Sequence, residues 1–224
     1  PSLFLASLTT LQSRWGTYTL PAVGILGSLV FLFLLFNYRP LTSGMYIAGF
    51  TGAGIQILLI FVYQSRYGVA YLAAPLLITL FMGGIVAGTL LWKKIWHTPN
   101  PSSIAIMSGL MALTALLTAW ALPREELFRT GWIGQSLLIL LNLLPGLMVG
   151  IIYSMSLAII RLRSSPEGSV PSYIGTLFSA DLAGAALGTL IPSLFIMPLI
   201  GIPNTFILLA GMNMAAGLYL WARQ

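Results

Sequence analysis

Apolar and polar positions along the chain fall in long blocks rather than alternating at the period of a strand. Seven apolar runs, near 17–37, 41–64, 69–92, 102–122, 132–160, 172–199 and 204–222, are each about 20 residues or longer, enough to cross about 30 Å of hydrocarbon as a helix. Breaks fall at Arg39-Pro40, Ser65 to Gly68, Lys93 to Pro101, Pro123 to Arg129, Arg161 to Pro171, and Gly201 to Pro203. The last break carries no charge, which fits a tight Gly/Pro hairpin, with a re-entrant segment as the rival. Ahead of the first run, residues 1–16 mix Leu3, Phe4, Leu5, Leu8, Leu11 and Trp15 with Ser7, Thr9, Thr10, Gln12 and Arg14. They read either as an amphipathic helix lying in the interface or as the frayed end of something upstream. The expected domain division is therefore an interfacial segment at 1–16 and a seven-helix transmembrane domain over 17–224. Trp15, Trp92, Trp96, Trp120, Trp132 and Trp221 all fall at or near predicted helix ends, where amphipathic indoles settle at headgroup level.

Composition fixes the solvent. Hydrophobic residues make up 58% of the 224 and charged residues 6%, with a mean hydropathy of +0.96. A water-soluble domain carries about a quarter of its residues charged, so most of this surface must face lipid. The fold class is an all-α polytopic membrane bundle. The net charge of +6 is spread singly or in pairs between apolar runs, as loop anchors are. It forms no basic stripe with interleaved aromatics, so nucleic acid is excluded as a partner. Seven spans would collect Arg39, Lys93, Lys94, Arg161, Arg163 and Arg223 on one side and Arg14, Arg66, Arg124 and Arg129 on the other. The excess favours a cytoplasmic C-terminus and an outside N-terminus.

The stretch from Met82 to Leu90 resembles that from Leu182 to Leu190, with Gly84, Gly88, Thr89 and Leu90 recurring as Gly184, Gly188, Thr189 and Leu190. These lie on the third and sixth spans, an odd number of crossings apart. Spans 2–4 and 5–7 would then form an inverted three-helix repeat, unless the likeness is one that glycine-rich membrane helices share by chance. Gly84/Gly88, Gly146/Gly150 and Gly184/Gly188 are spaced by four, and Gly44, Ala48 and Gly52 continue the theme on the second span. Small residues on one face allow backbones to approach where lipid provides no hydrophobic drive. These glycines are candidate packing positions.

Asp181 is the one acid placed within a span, and an isolated aspartate there costs about 2.5–3.5 kcal/mol on insertion scales. It should face the bundle with a partner, and Gln56, Asn142, Asn213, Ser179, Tyr46 and Tyr153 are the candidates. The plainer role is a hydrogen-bond clamp between helices; the functional one is a proton- or cation-coupling site, or a ligand contact. Pro192 and Pro198 should bend the sixth span just beyond it, while Pro21, Pro75 and Pro145 read as kinks elsewhere.

Signals for catalysis are absent. There is no cysteine, which removes disulfides, iron–sulfur clusters and thiolate metal sites. A single histidine, His97, cannot supply a haem ligand pair and reads as a headgroup-region residue. The nine methionines read as packing filler. No P-loop, GxSxG, HExxH or GxGxxG motif occurs, and no span carries two carboxylates. Glu125 and Glu126 beside Arg124 and Arg129 read as a solvated turn. Neither catalytic residues, a metal site nor a cofactor is expected.

Two stretches carry a family resemblance. Residues 49–91, GFTGAGIQILLIFVYQSRYGVAYLAAPLLITLFMGGIVAGTLL, and residues 173–202, YIGTLFSADLAGAALGTLIPSLFIMPLIGI, resemble the membrane region of bacterial fused transporter/spermidine-synthase-like proteins. Asp181, Gly184 and Gly188 fall on that family's pattern, while Gln56 stands where such proteins often carry glutamate. The resemblance implies the membrane half of a protein whose soluble aminopropyltransferase-like domain would precede Pro1 and would bring any catalysis. It implies a bacterial inner membrane location and a partner or attached domain. An outside N-terminus would, however, set such a domain apart from a cytosolic nucleoside substrate. Three functions stay open: a non-catalytic membrane anchor or scaffold of this family; a small-solute or polyamine transporter using Asp181; and an accessory subunit of a respiratory or photosynthetic complex.

Overall fold

The computed structural model describes residues 26, 29, 33, 38–68, 70–95, 100–129, 131–163 and 170–222. Its elements are α1 (Pro40–Tyr67), α2 (Ala70–Ile95), α3 (Pro101–Ala121), the short α4 (Glu125–Arg129), α5 (Gly131–Arg163), α6 (Val170–Ile191), a π turn (Pro192–Ile196), α7 (Met197–Ile200) and α8 (Ile202–Ala222). The described residues hold no strand, and six stretches are long and apolar enough to cross a membrane, α6 to α7 counting as one. The protein is an all-helical, multi-pass membrane bundle in a lipid environment. These six stretches match the second to seventh predicted spans. Of the first predicted span, Leu26, Leu29 and Phe33 are helical and exposed; the remainder of 17–37, the 1–16 segment and His97 lie outside the described residues. The turn predicted around Glu125 and Glu126 is the single helical turn of α4.

Local chemistry sets the element ends. Pro40 and Pro101 open α1 and α3 after extended residues at Arg39 and Asn100, since proline at the first position loses no intrahelical bond. Gly68 closes α1 at φ 71°, with its N–H on the Gln64 carbonyl at 3.0 Å. Gly201, at φ 83°, makes the hairpin between α7 and α8. Its N–H donates to Met197 O at 2.9 Å, and its own carbonyl accepts from Thr205 N at 3.1 Å and Thr205 Oγ1 at 2.7 Å. This uncharged break is a tight turn, as the Gly/Pro composition predicts. Pro192 lacks the N–H that would reach the Gly188 carbonyl, and the helix widens there into the π turn rather than breaking. The Ser193 hydroxyl donates to the Thr189 carbonyl at the same place.

Glycine decides which helices touch. Side chains added to Gly184 and Gly188 of α6 would run into the backbone carbonyls of Tyr46 and Phe50 on α1. Added to Gly84 and Gly88 of α2, they would run into those of Leu143 and Leu147 on α5. The approach is mutual: Gly146 and Gly150 of α5 lie against the carbonyls of Phe81 and Ile85, and Gly49 of α1 lies against that of Asp181. Packing of α1 on α6 therefore reproduces that of α5 on α2, with Tyr46, Gly49 and Phe50 standing where Leu143, Gly146 and Leu147 stand. Since α1 and α5 enter the bilayer from opposite sides, α1–α3 and α5–α8 form an inverted repeat. The α3–α8 pair closes the bundle, and α1 and α5 meet at its centre, where Gly52 faces Val149.

Residues of α1 serve several neighbours at once. Gly44 faces Leu220 of α8, while Gly52 faces Val149, Met111 of α3 and the Phe81 ring of α2. The face that mates with α6 is Gly49, one position off the Gly44, Ala48 and Gly52 row that the spacing suggests. Trp120 and Trp132 stand exposed near one end of the bundle, and Trp221 near the other, where half-buried Trp92 also lies. Two belts of indole thus mark the headgroup levels.

Candidate intramembrane polar site

Asp181 sits three turns into α6, and Ala180 beside it is buried with Tyr46, Ile47 and Ala216. Its backbone carbonyl and its Oδ1 both lie 2.6 Å from where a Gly49 Cβ would be. Only glycine on α1 leaves room for the carboxyl at this level. The side chain is half-buried, and among the described residues it has no hydrogen-bond or ion-pair partner.

The polar residues expected around it are dispersed. Asn142 is fully buried on α5, and its Nδ2 donates to the Leu77 carbonyl of α2 at 2.6 Å. It clamps α2 to α5, a different seam from the α1–α6 contact at which Asp181 lies. Asn213 is buried on α8, with Nδ2 on the Leu209 carbonyl of its own helix at 3.3 Å. Gln56 lies two turns along α1 from Gly49, about 10 Å further along the axis. Ser179 bonds its own helix at the Thr176 carbonyl, 2.9 Å away, and Tyr153 is half-buried on α5. Tyr46, one turn before Gly49 on α1, is fully buried with its ring centroid 5.7 Å from that of Tyr38. Among the described residues, a buried side-chain bond between two helices is made by Asn142.

Sequence reasoning missed the buried hydroxyls of Thr51 and Ser156. Thr51 Oγ1, Ser156 Oγ, Asn142 Oδ1 and Asn213 Oδ1 are buried without a protein hydrogen-bond partner. Gly44 opposite Leu220, and Gly54 opposite Leu209, place Thr51 and Asn213 at the same depth of the α1–α8 contact. The antiparallel register that brings them level is invisible before the fold is known.

The inverted repeat isolates what is particular to Asp181. Its counterpart is Phe81 of α2, whose carbonyl meets Gly146 as that of Asp181 meets Gly49. The Phe81 ring is buried and extends to Gly52 at the centre of the bundle. A carboxyl replaces a packed ring at one of two equivalent stations. Chemically, the site can hold a proton or offer one anionic ligand. Among the described residues, no group of three His, Cys, Asp or Glu side chains could hold a metal ion.

Comparison with known proteins finds no matching family model, no matching curated protein and no matching solved structure.

Proposed function

We propose that the chain is the non-catalytic membrane platform of a spermidine-synthase-like protein, holding an attached soluble domain or partner subunits at the bacterial inner membrane. The observation carrying this reading is the interlocked packing of α1 on α6 and α2 on α5, backbone against backbone through glycine. Contacts at that range leave little freedom for the sliding or rocking that moves a solute. The residue likeness at 49–91 and 173–202 supports the family assignment, and the Lys/Arg imbalance supports a cytoplasmic C-terminus. The test is purification of the intact protein from its native membrane with gentle cross-linking. Recovery of a stoichiometric partner subunit or covalently attached domain is expected; a solitary protein with solute uptake overturns the reading.

A second reading, a proton- or cation-coupled transporter, is favoured by one observation: Asp181 is an intramembrane carboxyl with no partner among the described residues, in an inverted-repeat fold. The two part company on Asp181→Asn, which leaves a platform intact and stops a coupled transporter.

A further inference from the structure

Two apolar grooves run along the α3–α8 pair, one near each end. The larger, of about 520 Å3, is lined by Leu116, Leu117, Ala119, Trp120 and Ile207. The smaller, of about 320 Å3, lies between Ser102, Ala105 and Gly109 on α3 and Met214, Gly217 and Trp221 on α8. Small residues account for both: Ala119 is a buried floor between the exposed Leu116 and Trp120, and Gly217 approaches the Ala105 carbonyl. Each groove ends at a tryptophan, Trp120 or Trp221, and so at a headgroup level.

What distinguishes the larger groove is its mouth. The Arg124 guanidinium lies 3.2 Å above the centre of the Trp120 ring, and its Nη1 donates to the Trp120 carbonyl at 2.8 Å. Arg66, at the end of α1, donates to the Leu122 carbonyl and stacks 4.3 Å from the centre of the Phe128 ring. Two guanidiniums thus converge on the last turn of α3, each fixed by one bond and one aromatic face, and each exposed with donors to spare. Next to Arg124, the exposed carboxylates of Glu125 and Glu126 open α4. A phosphate fits the fork of an arginine. The adjoining acids add an acceptor for a donating cation and oppose a headgroup of net negative charge.

We propose that this end of the α3–α8 pair holds one phospholipid with a zwitterionic, primary-ammonium headgroup. Its phosphate sits on Arg124 and Arg66, its ammonium on Glu125 or Glu126, and one acyl chain in the groove below Trp120. This site is independent of the reading of Asp181 and of the platform role. The occupant is set by charge: a phosphate alone would suit the arginines, but the paired carboxylates select a headgroup carrying an N–H cation as well. Phosphatidylethanolamine has both groups, phosphatidylglycerol lacks the cation, and phosphatidylcholine lacks the N–H donors.

The test uses the full chain in mild detergent with an equimolar mixture of phosphatidylethanolamine, phosphatidylglycerol and phosphatidylcholine of matched acyl chains. Retained lipid is read by native mass spectrometry. One phosphatidylethanolamine per chain is expected, favoured over either competitor by up to about fivefold, the upper end for an exposed charge pair. Arg124→Gln should reduce retention of all three lipids, because each carries the phosphate, and Glu125→Gln with Glu126→Gln should turn the preference toward phosphatidylglycerol. Leu117→Trp, at the exposed rim, should reduce retention of all three lipids. Melting curves of each variant certify that it is folded. Equal retention of the three lipids, a wild-type preference for phosphatidylglycerol, or retention undiminished in folded Arg124→Gln would each overturn the proposal.

Discussion

The carbonyl of Phe81 rests on Gly146 and that of Asp181 on Gly49, so these two side chains occupy the same station in oppositely directed halves of the bundle. One half fills the station with a ring that reaches the centre; the other leaves a carboxyl there. Asp181→Asn preserves size and removes the charge. On the platform reading it leaves the melting temperature and the recovered partner unchanged. Reconstituted vesicles supply the contrary measurement: loss of solute uptake in this variant would transfer the protein to the transporter class.

Glycine contacts predict a sharp positional pattern. Gly88→Ala and Gly188→Ala each drive a methyl group into a neighbouring backbone carbonyl, which cannot rotate away. Each should cost about 1–3 kcal/mol or more, the usual penalty of overpacking. Gly83→Ala and Gly109→Ala meet nothing within 4 Å and should be neutral, or stabilising by up to about 1 kcal/mol through helix propensity. Unfolding in mixed micelles distinguishes the two sets, and equal effects at all four positions would contradict the observed pairing.

Gly49→Ala tests the α1–α6 contact from the other side, because its methyl would lie 2.6 Å from both the backbone carbonyl oxygen and Oδ1 of Asp181. A loss of about 1–3 kcal/mol is expected. Combining it with Asp181→Ala removes only the carboxyl clash, leaving that with the backbone carbonyl, so rescue should be partial. Complete rescue would show that the backbones are further apart than described.

Asn142→Leu removes the bond to the Leu77 carbonyl. Buried polar clamps in membranes average about 0.6 kcal/mol and reach about 1.7. A loss in that range is expected in steric-trap or denaturant unfolding, with the shorter 2.6 Å contact favouring its upper half. Asn213→Leu, whose donor serves only its own helix, should cost less.

Hydropathy made the second to seventh spans legible to within a few residues, because lipid demands long apolar helices whatever their neighbours. The Gly84/Gly88 and Gly184/Gly188 likeness pointed to the repeat, since close backbone approach leaves a residue signature. Contact partners were not legible. Gly49 mates with α6 while Gly44 and Gly52 serve α8 and α5, and a shift of one position on a helix with glycine or alanine on several faces cannot be ranked before the neighbours are known. Asn142 is no more conspicuous in the sequence than Gln56 or Asn213, yet only the crossing of α2 on α5 shows that it bonds a neighbouring helix. The π turn at Pro192 lies beyond sequence for a similar reason: proline predicts a disturbance, but packing decides whether the helix kinks, stops or widens.

The reciprocal crossing of the halves bears on how the molecule is made. During synthesis, α1 and α2 enter the bilayer well before α5 and α6 have been translated, so the nascent hairpin must wait with its glycine faces uncovered. Neither half can complete itself, because each lends a helix to the other's seam. Neither seam can close before its partner helix from the second half is inserted, like two clasped hands rather than two stacked ones.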